Sequence, residues 1–247
     1  MYIDVNGIKT FYRQEGEGKD LLLLHGWGGS NDSFAPVFNS LKKHFRVTAV
    51  DFWGFGKSGL PPDGVDTFWY ADMLDEFLKK LEIAKIFVIS HSFGCRVFLI
   101  LASKNKNMFE KAVICDGAGI KPKFSIAKKL KVLKYKFFKK LAFLKIIKKE
   151  RLNKFGSDDF KNLPPEMKKT FVKVVNCHLD EFAKNTNAET LLVWGKKDKD
   201  TPLYMAKKLN RYIKNSGLVI FEEAGHFCYL DDFYRFDLIA KKFFGVI

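Results

Sequence analysis

The sequence has no run of about 18 apolar residues, the length a membrane-crossing helix needs, and so offers no candidate span. Its first ten residues alternate with polar ones and lack the apolar block of a signal peptide. Cysteine is sparse: Cys95, Cys115, Cys177 and Cys228 are the only four, without the close spacing of a metal site or a disulfide framework. These absences lead us to expect a cytoplasmic protein with reduced thiols. Internal repeats, low-complexity linkers, zinc-finger spacings and aromatic RNA-binding signatures are also missing, which argues against a nucleic-acid-binding role.

What is present is a chain of 247 residues, 47% hydrophobic, enough for one large domain or two small ones. Lysine and arginine outnumber acids 43 to 28, a formal charge of +15. That charge is concentrated. Residues 121–154 hold thirteen lysines and Arg151 against the single acid Glu150, a net of +13. The other 213 residues carry about +2. The sequence therefore describes a near-neutral body with one basic insert. The insert can be a solvated lysine-rich surface, an interfacial face touching anionic lipid, or a field that steers an acidic substrate or acidic carrier protein.

Short apolar runs at 2–5, 8–13, 21–24, 47–50, 86–89, 112–115, 191–194 and 218–221 read as strands. Most lack polar alternation, as expected of strands buried on both faces in a parallel sheet. Asn6-Gly7 between the first two predicts a tight hairpin. Helical spacing recurs at 33–43, 68–81, 94–102, 203–213 and 233–244, which gives an α/β architecture. The alternation stops between Gly119 and Thr190. There Ile126, Leu130, Leu133, Phe137, Leu141 and Leu144 form a helical stripe, and 167–179 predicts a further helix after Pro164-Pro165. The expected division is a core of 1–118 and 187–247 with an inserted helical cap at 119–186.

In parallel sheets, functional groups gather beyond the carboxyl ends of the strands. The strand at 86–89 runs into Ser90-His91-Ser92-Phe93-Gly94 and then a helix. A sharp strand–helix turn presents a nucleophilic serine only if the residues two before and two after it are small. Here they are Ser90 and Gly94. A serine nucleophile needs a base and an orienting carboxylate. Among five histidines, only His226 follows the last strand. The stretch after the preceding strand offers Asp198, with Asp200 beside it as an alternative or as the cap of the next helix. Asp116, after an earlier strand, is a third candidate. Glycines in His25-Gly26-Trp27-Gly28-Gly29 could place backbone donors, and Asp51-Phe52-Trp53-Gly54-Phe55-Gly56-Lys57-Ser58 reads as a loop in which Asp51 anchors turns.

In chain order, these stretches resemble the H-G-x-G loop (His25–Gly28), the D-x-x-G-x-G-x-S stretch (Asp51–Ser58), the nucleophile elbow (Ser90–Gly94), and the acid (Asp198) and base (His226) of the α/β-hydrolase fold family. The departure is Ser90 where the family usually has glycine. The resemblance implies a mostly parallel eight-stranded sheet, no metal and no cofactor. It assigns Ser92 as nucleophile, His226 as base, Asp198 as acid, and the backbone N–H groups of Trp27 and Phe93 as oxyanion donors. It implies a small-molecule acyl substrate and serine esterase chemistry, similar to the carboxylesterase branch. Serine disfavours the aspartate-dependent dehalogenase and epoxide-hydrolase branches. The absence of Gly-Pro-Gly after His25-Gly26 weighs against carbon–carbon hydrolases without excluding them. Arg96 is similar to an arginine of the menaquinone-pathway lyase of this fold, which keeps elimination chemistry open, and some members of the fold are non-catalytic binding proteins. Trp27, Trp53, Phe93 and Trp69 are the aromatics expected near the mouth of the site.

Overall fold

The computed structural model describes residues 1–123 and 163–247 throughout and, between them, 130, 133, 134, 136–139, 143, 160 and 161. Eight strands form one sheet: β1 (Tyr2–Val5), β2 (Ile8–Glu15), β3 (Asp20–Leu24), β4 (Arg46–Val50), β5 (Ile86–His91), β6 (Phe109–Cys115), β7 (Glu189–Gly195) and β8 (Ser216–Phe221). Their order is β1-β2-β4-β3-β5-β6-β7-β8. Strands β1 and β2 pair antiparallel, β2 meets β4 antiparallel, and every later pairing is parallel. The Asn6-Gly7 turn closes the first hairpin with both residues at positive φ, 50° and 81°, as a two-residue turn that matches strand twist requires.

The described helices are α1 (Ala35–Leu41, after a 3-10 turn at Asn31–Phe34), α2 (Thr67–Lys80), α3 (Phe93–Lys104), α4 (Pro165–Val175), α5 (Asp180–Lys184), α6 (Tyr204–Tyr212), α7 (Cys228–Asp231) and α8 (Phe233–Phe244). They divide between the two faces. On one, Leu22, Leu24, Val88, Ile114, Leu192 and Trp194 pack with apolar residues of α2, α3 and α6. On the other, Leu21, Leu23, Phe87, Ile89, Val113 and Val193 pack with α1 and α8. Alternate residues of each central strand are thus buried on opposite faces, which is why these strands are mostly apolar and lack polar alternation, with Thr48, Ser90, His91 and Thr190 as buried polar exceptions.

One expectation changes. The helix expected over 167–179 stops short: α4 ends at Val175, and a separate helix, α5, starts only at Asp180, with the Leu179 N–H turned to the Gly119 carbonyl at 2.8 Å. Of the predicted helical stripe, Ile126, Leu141 and Leu144 lie outside the described residues, whereas Leu130, Leu133 and Phe137 are helical, as expected, and exposed. Strands β6 and β7 are hydrogen-bonded neighbours, Lys111 facing Glu189, so the long insertion leaves and re-enters the sheet between adjacent strands.

Candidate active site

Ser92 follows the last residue of β5 and precedes α3, with φ 47° and ψ −106°. A non-glycine residue at positive φ is strained by about 1–3 kcal/mol, and such strain persists only where the surrounding packing imposes it. Here α3 turns back tightly against β3. A Cβ at Gly94 would stand 2.3 Å from the Leu24 carbonyl oxygen, so only glycine fits. Ser90, two residues before Ser92, sits inside the sheet opposite Leu24 and Ile114, where a hydroxymethyl group has room. Its hydroxyl is buried without a partner, a cost that glycine would not incur.

His226 stands in the loop after β8 and Asp198 in the loop after β7. His226 Nδ1 lies 2.9 Å from Asp198 Oδ2, and Nε2 lies 3.0 Å from Ser92 Oγ. A carboxylate only accepts, so Nδ1 carries the proton and bare Nε2 accepts from the Ser92 hydroxyl. Burial alone would raise the Asp198 carboxyl, but bonds from His226 and Thr201 outweigh it and hold the group below its ordinary range. Burial alone would depress His226, yet Asp198 overrides it and the imidazole titrates above its ordinary 6.5.

The other two acids serve elsewhere. Asp116 accepts from the Gly195 N–H at 2.8 Å and the Cys228 N–H at 3.0 Å, and burial lifts its carboxyl to about 6. It clamps the loops that carry Asp198 and His226. Asp200 does not cap the following helix. Instead Asp198 Oδ1 accepts from the Asp200 and Thr201 N–H groups at 2.7 and 3.0 Å, so the acid organises its own loop. Thr201 Oγ1 donates to Asp198 Oδ2 at 2.6 Å. The sequence reading missed Thr201, and its position three after an acid at a strand end was the available signal. Asp198, Asp200 and His226 bring ligand-type atoms within 4.8 Å of one another, but Asp198 and both His226 nitrogens are already committed to the serine relay.

The glycine loop after β3 lies against the elbow: a Cβ at Gly26 would sit 3.3 Å from Ser92 Cβ and 2.7 Å from His91 Nδ1. Phe93 opens α3, so its N–H has no acceptor within the helix. Trp27 and Phe93 both line the cleft that contains Ser92 and His226. Asp51 accepts from the Asn31 N–H and side-chain amide at 2.6 and 2.7 Å and from the Lys57 N–H at 2.8 Å, tying this loop to the one after β4.

The cleft has a volume of about 850 Å³. Phe171, Val174 and Val175 of α4 form part of its wall, and the Phe171 ring centroid lies 5.3 Å from that of Trp27. Of the aromatics expected at the mouth, Trp53 and Trp69 are elsewhere: Trp53 is fully buried, donates to Thr10 Oγ1 at 2.8 Å, and packs against Trp69. The loop after β4 turns Trp53 into the core, and Trp69, half-buried on α2, packs against it there.

A family model described as the alpha/beta hydrolase fold matches residues 20–146, more than half of the chain. The chain belongs to the α/β-hydrolase fold family. A second model, described as TAP-like protein, matches residues 172–232, where this hydrolase carries Asp198 and His226. It is 24% identical over 260 residues to the AB hydrolase superfamily protein YisY of Bacillus subtilis, covering 96% of this chain and 95% of that one. It is also 24% identical over 250 residues to a 2-hydroxy-6-oxo-6-(2'-aminophenyl)hexa-2,4-dienoic acid hydrolase of Metapseudomonas resinovorans, covering 93% and 85%. Among solved structures, the enol-lactonase of Burkholderia xenovorans superposes with a TM-score of 0.78 at 19% identity, over 99% of this chain and 100% of that one.

Proposed function

We propose that this protein is a serine hydrolase that cleaves a carboxylic ester through an acyl-enzyme intermediate. The observation that carries this reading is the unbroken chain from Ser92 Oγ through His226 to Asp198, opening on a cleft. In the first step His226 Nε2 takes the Ser92 proton while Oγ bonds to the ester carbon. The Trp27 and Phe93 N–H groups receive the developing oxyanion, and the leaving alcohol departs with the proton from His226. Water, deprotonated by His226, then releases the acid from Ser92. The segment 119–186, through α4, acts as the cap that shapes the acyl or alcohol pocket. The test is hydrolysis of p-nitrophenyl esters of increasing acyl length by purified protein. Ester turnover with a defined chain-length optimum supports the reading, and folded protein inert to the whole series speaks against it.

The titration of His226 sets the pH dependence. The base works only when neutral, and its pKa is raised above 6.5. Hydrolysis should therefore decline as pH falls through a midpoint above 6.5, measured as kcat/KM against pH. A flat profile down to about pH 5 would remove His226 from the role of base.

Arg96 favours a second reading. This residue of α3 is buried, lines the cleft, and donates to the Cys177 carbonyl. Among the described residues no carboxylate pairs with it, and burial pulls its guanidinium below the ordinary range. Buried arginines are almost always paired. A substrate carboxylate would complete it, aided by Lys123 and Lys199 in the same wall. One relative is named as a hydrolase of a 6-oxo-dienoic acid, a molecule that carries such a carboxylate and no ester bond. Carbon–carbon hydrolysis or an elimination by the same serine and base is therefore the alternative. Arg96→Ala is expected to raise KM about 10- to 100-fold for a p-nitrophenyl ester bearing a free carboxylate and to leave KM for the uncharged ester nearly unchanged. Equal changes for both esters would deny Arg96 this role.

A further inference from the structure

The base reaches the nucleophile across a wide gap. Ser92 follows β5, whereas His226 follows β8, and β6 and β7 lie between. Several bonds support the base's loop, among them Lys197 N–H to the Ala224 carbonyl at 3.0 Å and Cys228 N–H to Asp116 at 3.0 Å. These attach it to the loops that follow β6 and β7. A different bond ties His226 itself to the strand of the nucleophile. His91, the last residue of β5, places Nε2 2.7 Å from the His226 carbonyl oxygen. That oxygen can only accept, so His91 is the Nε2–H tautomer. Its bare Nδ1 is buried without a partner against Gly26. The ring is held on three sides, with centroids 4.9 Å from His226, 4.9 Å from Phe227 and 5.1 Å from Tyr229.

We propose that His91 is a positioning residue whose Nε2–H holds the His226 main chain at the height where the His226 imidazole meets the Ser92 hydroxyl. The inference rests on the serine-hydrolase reading. A charged His91 could not do this work without harm, because it would set a second cation beside the imidazolium that forms at His226 in each turnover. Burial, reinforced by the charge that forms on the His226 ring and more weakly by His25, pushes its pKa down to about 3 against the opposing pull of the bond to the His226 carbonyl and of Asp198, so the ring stays neutral wherever the base is active. The bond also gives a histidine next to the nucleophile a role of its own, since its Nε2 bonds to the His226 carbonyl and it is His226 that bonds to the serine hydroxyl.

The experiment measures the rate at which a fluorophosphonate probe labels the serine in wild type, His91→Phe and His91→Gln, with Ser92→Ala as the blank. Phenylalanine keeps the ring and loses the donor; glutamine restores an N–H near the position of Nε2. Labelling should slow about 10- to 100-fold in His91→Phe, the scale of a small misplacement of a reacting group, and recover to within about fivefold in His91→Gln. Labelling of His91→Phe at the wild-type rate, or of His91→Gln as slowly as His91→Phe, overturns the inference while leaving the hydrolase reading in place. Wild-type protein that is not labelled sinks both. Should His91→Phe fail to fold, ¹⁵N NMR of wild type decides: a non-titrating Nε2–H ring between about pH 5 and 9 supports the role, and an Nδ1–H or titrating ring overturns it.

Discussion

Ser92→Ala is expected to lower kcat by on the order of 10⁵- to 10⁶-fold with little change in KM, because the acyl-accepting oxygen is lost while the cleft walls stay intact. On the proposed mechanism the residual rate would come from the backbone donors of Trp27 and Phe93. The substitution leaves the backbone strain in place, since alanine resists φ 47° as serine does. Ser92→Gly is the informative companion. It should be equally inactive, yet melt a few degrees above Ser92→Ala, because glycine accepts positive φ without steric cost. Parallel measurement of turnover and Tm separates the chemical role of the side chain from the strain of the elbow. Near-normal turnover by Ser92→Ala would discard Ser92 as nucleophile.

The second large effect concerns the acid. Asp198→Asn should reduce kcat about 10⁴-fold. An amide cannot take up the charge that forms on His226, and its N–H₂ face would favour the imidazole tautomer that points a proton at Ser92 instead of a lone pair. Asp116→Asn should behave differently. Its carboxylate accepts two backbone N–H groups and makes no bond to His226. An amide there turns a donor toward a donor, which costs about 1–3 kcal/mol of stability. The expected result is a Tm lowered by several degrees with kcat within about tenfold of wild type at a temperature where the variant is folded. Steady-state kinetics and melting curves of the two variants, side by side, read the difference. A loss of kcat in Asp116→Asn that matches or exceeds that in Asp198→Asn would move the acid to Asp116.

The sequence by itself determined the strands and the positions to examine. A strand buried on both faces is apolar at most of its residues, so runs such as Leu21 to Leu24 announce β3 without reference to anything distant. The strand–turn–helix at Ser92 and the lone histidine after β8 are likewise local, readable from a few neighbouring residues and their order. The helix break between Val175 and Asp180 was less legible, because the turn of Leu179 toward Gly119 depends on a segment about 60 residues away.

Tertiary structure decided which groups meet. From the residues alone Asp116, Asp198 and Asp200 are all candidate carboxylates near strand ends, and the family resemblance singles out Asp198. The structure separates them by the donors that reach each: backbone N–H groups for Asp116, and the imidazole together with the Thr201 hydroxyl and backbone N–H groups for Asp198. Trp27 and Trp53 look alike as aromatics in glycine loops, yet the first lines the cleft and the second is sealed in the core. The 2.7 Å bond between His91 and His226 joins residues 135 positions apart. Hydrogen bonds act over about 3 Å and desolvation acts on a group's whole surroundings, so both depend on distances that only folding creates. Local pattern reaches no further than its own segment.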